Sequence, residues 1–393
     1  MADCFLILIK EHLAVKIVDN KENCCGCSAC KNVCPVGAIR MESDDEGFLY
    51  PTIDEIKCEK CTSVCFYKNG FTQQDMLRKA YAARLVDMEM RMECQSGGMF
   101  WALAKQYVQN GGIVYGCALN EEFRAVHMRA SSIGGLKKFR GSKYVQSDTQ
   151  DCYKSILSDL QSGKNVMFSG TPCQGEGVLQ MLNGRYRDKI FIVDIVCHGV
   201  PSPAVWHSYI DYVAQKIGKI TKVSFRDKRN YGWHSHVESL WAGTKKYSKM
   251  AYTDMFYSHL MMRPSCYKCK FTNLRRNTDI TICDCWGIEK NCPDFDDNKG
   301  VSYVMPHTEV GKMLFEILRQ KNIIDVMDID YRDYMQPQMQ QPIDVDLAER
   351  RQFWRDYHEY GMNDKLIAKY TRYNWKGALK EYVKNLCRRI FHS

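Results

Sequence analysis

The spacing of apolar and polar positions divides this 393-residue chain into three stretches. Residues 1–70 hold no long apolar run and are dense in cysteine. From about residue 75 to 340, short apolar runs alternate with stretches of helical period, the pattern of strands joined by crossover helices. Asn165-Val-Met-Phe-Ser169 and Ile190-Phe-Ile-Val-Asp-Ile-Val196 read as strands, and each leads into a cysteine, Cys173 or Cys197. Parallel strands with crossovers bring such ends to one edge of a sheet, where α/β folds bind ligands. From about residue 341 the chain turns polar and helical, and the polar stretch 67–74 reads as a linker between the first two regions.

Composition sharpens this picture in one respect. With 45% hydrophobic, 12% aromatic and 26% charged residues, the chain is neither disordered nor fibrous, but it carries 20 cysteines. The only apolar stretch near the start spans residues 5–9, far below the ~18 residues of a membrane span and without a cleavage site. A reducing, cytoplasmic setting is therefore expected, where closely spaced cysteines signal metal or redox chemistry rather than disulfides.

The net charge of +9 is uneven. From Asp364 to the end, eight Lys or Arg face two acids, so six of the nine charges lie there. Val383, Leu386, Cys387, Ile390 and Phe391 recur at helical spacing in this tail. It reads as a helix docking on its own domain; a basic helix also suits peripheral contact with an anionic membrane or a partner protein. No nucleic-acid module accompanies the charge, so no nucleic-acid partner is expected. Ligating thiolates are anionic, and a 4Fe–4S centre with its four cysteines carries about −2, which cancels part of the formal excess.

Cys24-x2-Cys27-x2-Cys30-x3-Cys34-Pro35 is the bacterial ferredoxin run. Three cysteines at this spacing wrap one 4Fe–4S cube and the fourth reaches a second, whereas zinc would need only pairs. Cys25 is spare by spacing. The repeat, Cys58-x2-Cys61-x3-Cys65, is one ligand short: its first position falls on Glu55, and Phe66 stands where proline is usual. Cys65 can complete the first cube. Cys34, Cys58 and Cys61 would then hold a second with three thiolates, as a 3Fe–4S centre, with a carboxylate or outside ligand, or not at all.

Farther on, Cys266-Tyr-Lys-Cys269 adds a pair that is half a zinc knuckle alone, but with Cys173 and Cys197 supplies the four thiolates of another cube. Cys4, Cys94, Cys117, Cys152, Cys292 and Cys387 read as small buried hydrophobes. Gln95-Ser96-Gly97-Gly98 precedes a helical run over 99–108, a place for a phosphate on bare N–H groups or simply a cap. Arg140-Gly-Ser-Lys-Tyr-Val-Gln146 and Phe225–Trp233 have the same nucleotide-compatible, unspecific character. No Walker lysine loop or full dinucleotide fingerprint is present.

Together these segments resemble the family of coenzyme F420 hydrogenase/dehydrogenase beta subunits. The matching words are Cys-Cys-Gly-Cys-Ser-Ala-Cys at 24–30, Ser-Gly-Gly-Met-Phe at 96–100, Gly-Ser-Lys-Tyr-Val-Gln-Ser at 141–147 and Gly-Thr-Pro-Cys-Gln at 170–174. Cys-His-Gly-Val-Pro-Ser at 197–202, Phe-Arg-Asp-Lys-Arg at 225–229, Cys-Tyr-Lys-Cys-Lys-Phe at 266–271 and Trp-Gly-Ile at 286–288 follow in family order. The resemblance implies a mixed α+β and α/β protein. It has a small bacterial-ferredoxin-like 4Fe–4S domain over 1–74, a mixed-sheet FAD and iron–sulfur domain over 75–340, and a basic helical tail over 341–393.

It further implies an FAD-dependent iron–sulfur oxidoreductase. Such an enzyme passes electrons between 4Fe–4S clusters and FAD, then to or from a hydride carrier such as coenzyme F420, or a small organic substrate. Ser96, Gly97, Gly98, Ser142, Lys143 and Tyr144 become the expected FAD contacts, and Cys173, Cys197, Cys266 and Cys269 the middle cluster ligands. His198, beside Cys197, is a candidate proton donor or a structural hydrogen-bonding group. The expected partner is a redox protein or ferredoxin. The alternative is a non-catalytic electron-transfer protein serving a partner enzyme, as in polysaccharide biosynthesis. The family's usual Gly-Asp-Phe-Trp-Gly is here Cys283-Asp284-Cys285-Trp286-Gly287, which offers two further thiols as alternative ligands.

Overall fold

The computed structural model describes residues 18, 20–53, 62–75 and 79–371. Its first element beyond a short turn is the helix Ala29–Val33, followed by the antiparallel pair β1 (Ile39–Ser43) and β2 (Leu49–Ile53). Asp44 shapes the turn between them, its carboxylate accepting from the amides of Glu46 and Phe48.

The main sheet uses β3 (Ala80–Leu85), β4 (Ile113–Leu119), β5 (Ala125–Ala130), β6 (Val166–Gly170) and β7 (Ile190–Ile195). A separate three-stranded sheet follows, of β8 (Lys222–Ser224), β9 (Glu238–Ala242) and β10 (Lys245–Lys249). β11 (Ile280–Asp284), β12 (Ser302–Pro306) and β13 (Ile324–Ile329) then return to the main sheet. Its eight strands run in the order β13-β3-β12-β11-β7-β6-β4-β5. The centre, β11-β7-β6-β4, is parallel, and the flanking strands are antiparallel.

This mixed sheet explains the continuous apolar runs. β6 and β7 are buried on both faces, so they cannot alternate. On one side the helices Met99–Gln109 and Glu309–Gln320 set Trp101, Leu103, Phe315 and Leu318 against Met167, Phe191 and Val193. On the other, Cys152–Gln161 and Pro172–Leu182 cover Val166, Phe168, Ile190 and Ile192, and Ala29, Cys27 and Cys30 pack on the same cluster. The cysteine-dense segment thus leans directly on the helices of the sheet.

One expectation changes here and one is extended. The stretch 67–74 is no free linker: Thr72 O and the Gln74 backbone bond to Asn277 and Arg276, and Asp75 pairs with Arg275. The polar region after 341 also enters the core. Phe353, Trp354, Leu366 and Tyr370 from the helices Leu347–Tyr360 and Asp364–Tyr370 are buried against Pro203–Ile217 and Ala251–Tyr257. The basic stretch with Val383 to Phe391 lies outside the described residues.

Candidate functional site

The thiols gather in two sets. Cys24, Cys27 and Cys30 act electrostatically on one another, and Cys65 acts on Cys24 and Cys30, which places all four together. Burial pushes the Cys24 and Cys30 thiols up. Gly26 allows the tight wrap with φ of +68°. Cys34 lies in a neighbouring apolar cluster with Ala38, Ile39 and Ile53, its sulfur accepting from the Ala38 amide at 3.3 Å. Cys58 and Cys61 lie outside the described residues.

The second set is assembled by topology. The Thr171 amide donates to Gln174 Oε1 at 3.0 Å and Pro172 opens the Pro172–Leu182 helix, which fixes Cys173 in its first turn. Cys197 follows the end of β7. The helical turn Pro264–Lys268 delivers Cys266 and leads to Cys269. All four line one small cavity, together with Cys25, Arg263 and Tyr67. Burial raises Cys197, pushes Cys266 up to about 12 and Cys269 up to about 11, and the neighbouring thiolates add to each effect.

Cys25 sits between the two sets. Its hydrogen bonds with Cys173 and Cys27, and then burial, hold its proton on. Those same bonds pull Cys27 down and bring Cys173 to about 7. By spacing alone Cys25 is spare; the structure makes it a thiol donor to a sulfur on either side.

A second, far larger cavity of about 830 Å³ opens at the C-terminal ends of β6, β7 and β11, within the range of small-molecule and cofactor sites. It shares the wall Cys197-His198-Gly199-Val200 and Gln338 with the thiol cavity. Ser96, Gly98, Ser142, Lys143 and Tyr144 all line it. Gly97 does not. Its amide is taken by Ser302 Oγ at 2.9 Å, and a Cβ there would lie 2.2 Å from Ala83 O, so this glycine serves close packing. Lys143 is an internal brace: its ammonium donates to the carbonyls of Lys138, Phe139, Arg140 and Gly141, and burial brings it down to about 8.

The lining contains buried polar atoms without partners among the described residues: Gln95 Oε1, His127 Nδ1, Arg226 Nε and His236 Nε2. Such orphans are costly unless a ligand or water satisfies them. Arg226 is fixed by Asp284 at 2.7 Å and lies over the Trp286 ring, which stacks on Trp233. Cys283 also lines this cavity and accepts from Gln336 Nε2 at 3.2 Å, whereas Cys285 is buried elsewhere, so neither joins the four thiols.

His198 faces the large cavity, and burial pulls it down to about 4, so it is neutral at pH 7. Its Nε2 is 2.8 Å from His259 Nε2. The Asp344 carbonyl, 2.8 Å from His259 Nδ1, can only accept. His259 therefore carries its proton on Nδ1 and His198 donates through Nε2, while Gln338 also hydrogen-bonds the His198 side chain.

Residues 163–332 match the C-terminal region of the coenzyme F420 hydrogenase/dehydrogenase beta subunit, and residues 17–40 match the 4Fe-4S binding domain. These matches support the family of coenzyme F420 hydrogenase/dehydrogenase beta subunits over residues 163–332, with a 4Fe–4S domain before them. The first match covers β6, β7 and β11 with all four thiols of the second set, and the 4Fe–4S match covers Cys24, Cys27, Cys30 and Cys34. The chain is similar to the F subunit of F(420)H(2) dehydrogenase from Methanosarcina mazei, with 22% identity over 76% of this chain and 83% of the relative. A chain of the F420-reducing [NiFe] hydrogenase complex from Methanosarcina barkeri aligns over 74% of this chain and 91% of its own, at 18% identity and a TM-score of 0.46. The family and its 4Fe–4S domain make this an iron–sulfur oxidoreductase-type protein. Among the described residues no helix is long and apolar enough to cross a membrane.

Proposed function

We propose that the chain is an FAD-dependent iron–sulfur oxidoreductase that takes electrons from a redox protein and delivers them to a hydride carrier of the deazaflavin type, or the reverse. The observation that carries this reading is the shared wall: Cys197 and His198 belong at once to the four-thiol cavity and to the 830 Å³ cavity. We assign Cys24, Cys27, Cys30 and Cys65 to one 4Fe–4S cluster and Cys173, Cys197, Cys266 and Cys269 to another. When bound, the clusters carry single electrons and the flavin exchanges them for two-electron hydride chemistry.

The chain's own residues position and tune. The orphaned Gln95, His127, Arg226 and His236 atoms suit the polar edge of a flavin, and the first-turn amides of Met99–Gln109 suit its phosphates. Ser142 and Tyr144 are presented on the loop that Lys143 braces. His198 holds a proton at Nε2 toward His259 on the wall of the 830 Å³ cavity. The relative's name, which is that of an F(420)H(2) dehydrogenase, supports a deazaflavin carrier as the substrate class.

The test is anaerobic purification with iron, acid-labile sulfide and released-flavin assays. About eight irons and one flavin per chain are expected. Iron without flavin would convert the reading to an electron-transfer protein, and the absence of both after reconstitution would overturn it.

A further inference from the structure

One buried cation lies between the two thiol sets and has no acid of its own. Arg263 is fully buried. Its Nε donates to Cys24 O at 2.7 Å, Nη1 to Gln146 Oε1 at 2.9 Å, and Nη2 to Leu49 O at 3.0 Å and to Cys24 Sγ at 3.6 Å. The guanidinium lies 4.1 Å from the Tyr50 ring centre and 5.5 Å from that of Phe48. Among the described residues no carboxylate pairs with it; the groups that act on it electrostatically are the Cys24, Cys25 and Cys266 thiols and the Tyr50 phenol. Toward the other side it lines the small cavity with Cys173, Cys197, Cys266 and Cys269.

A buried cation without a counter-charge costs several kcal/mol, so a fold that keeps one must supply the anion in another form. Neutral ties to carbonyls would need no guanidinium. Gln146 is spent on holding this one: its Oε1 accepts from Arg263 while its Nε2 donates to Cys25 O at 3.1 Å. Gly26 clears the space, since a Cβ there would lie 2.7 Å from Gln146 Nε2 and 2.9 Å from Arg263 Nη1.

We propose that Arg263 is the shared counter-ion of both clusters and raises both reduction potentials together. The inference rests on the two-cluster reading above. Adding an electron to a cluster makes it more negative, and a fixed cation a few ångströms away in a dry site favours that state. One cation bonded to the first set and lining the cavity of the second also couples them: an electron on one uses part of the attraction available to the other. A merely structural Arg263, tying Leu49 and Cys24 to the body, would leave the potentials of the second set unmoved.

The test is an EPR-monitored redox titration of the reconstituted full chain, with iron counted in every sample. For Arg263→Gln, poised at the wild-type midpoint, the reduced-to-oxidised ratio should fall about tenfold at both clusters, or 59 mV for one electron. Arg263→Lys should recover most of the loss. If Arg263→Gln does not load iron, Gln146→Glu gives a second measurement: it keeps the cation, neutralises it at the same hydrogen-bonding position, and should also lower both potentials. Fully loaded variants whose potentials stay put, or in which only the Cys24 set moves, would overturn the proposal. A wild-type chain lacking one cluster's iron would instead overturn the two-cluster reading.

Discussion

The two thiol sets solve the same problem in opposite ways. The first draws three of its members from the seven residues Cys24 to Cys30, so the backbone wrap itself brings the sulfurs together. The second draws on a helix start, a strand end and a separate turn, and exists only once β6 and β7 are paired and the Pro264–Lys268 turn is docked. A local site tolerates loosening of its surroundings, whereas a topological one reports on the whole sheet.

The sharpest way to break this comparison is to remove one sulfur from each set. Cys173→Ala should cost about half of the bound iron while sparing the Cys24 set, and Cys27→Ala should do the reverse. Iron and acid-labile sulfide per chain decide it, and unchanged iron in Cys173→Ala would refute the second assignment.

Next in size is Arg350→Ala. Arg350 pairs bidentately with Glu46 at the β1–β2 turn and also donates to Met262 O at 3.2 Å and to Tyr267 Oη at 3.0 Å. Both partners of the ion pair are mostly buried, so losing one should cost about 3 kcal/mol in denaturant unfolding. Loss of the second cluster's visible absorbance should accompany that transition.

Acid should separate the regions further. Burial pulls His127 and His236 down to about 4 and His307 to about 3, all beyond residue 79, while residues 20–75 contain no histidine. The unfolded chain binds protons at these positions near 6.5, and the folded chain does not. Their contribution is therefore complete above pH 6.5 and lost as pH falls toward 4. The apparent Tm should drop across that window, and His307→Gln should flatten the drop.

Gly26→Ala is the smallest change. With φ of +68° and Arg263 in the way, it should cost about 1–2 kcal/mol and disturb the Cys24 set more than the Cys173 set, read by EPR line shape.

Much of this is legible in the chain. The runs at 165–169 and 190–196 are strands within a residue of their reading, parallel, and they deliver Cys173 and Cys197 to one edge. Ser96, Gly98 and Ser142 to Tyr144 do meet at one cavity. Gly97 misleads because a glycine needed for packing looks like one needed for a ligand. Gln146 and Arg263 leave no local signal, since their side-chain partners lie 117 to 239 positions away. Only the unusual doublet Cys24-Cys25 hints that a sulfur is aimed somewhere other than its own loop.

The stitching of residues 72–75 to 275–277 has a kinetic meaning. Many multi-centre redox proteins let a small carrier swing on a tether, so that exchange waits on diffusion of the arm and slows in viscous solvent. Here residues 72–75 are sewn to 275–277 and Glu46 is clamped by Arg350, which fixes the spacing of the two thiol sets. Internal exchange should then be indifferent to glycerol, and a nick in that strand should leave the two halves eluting as one.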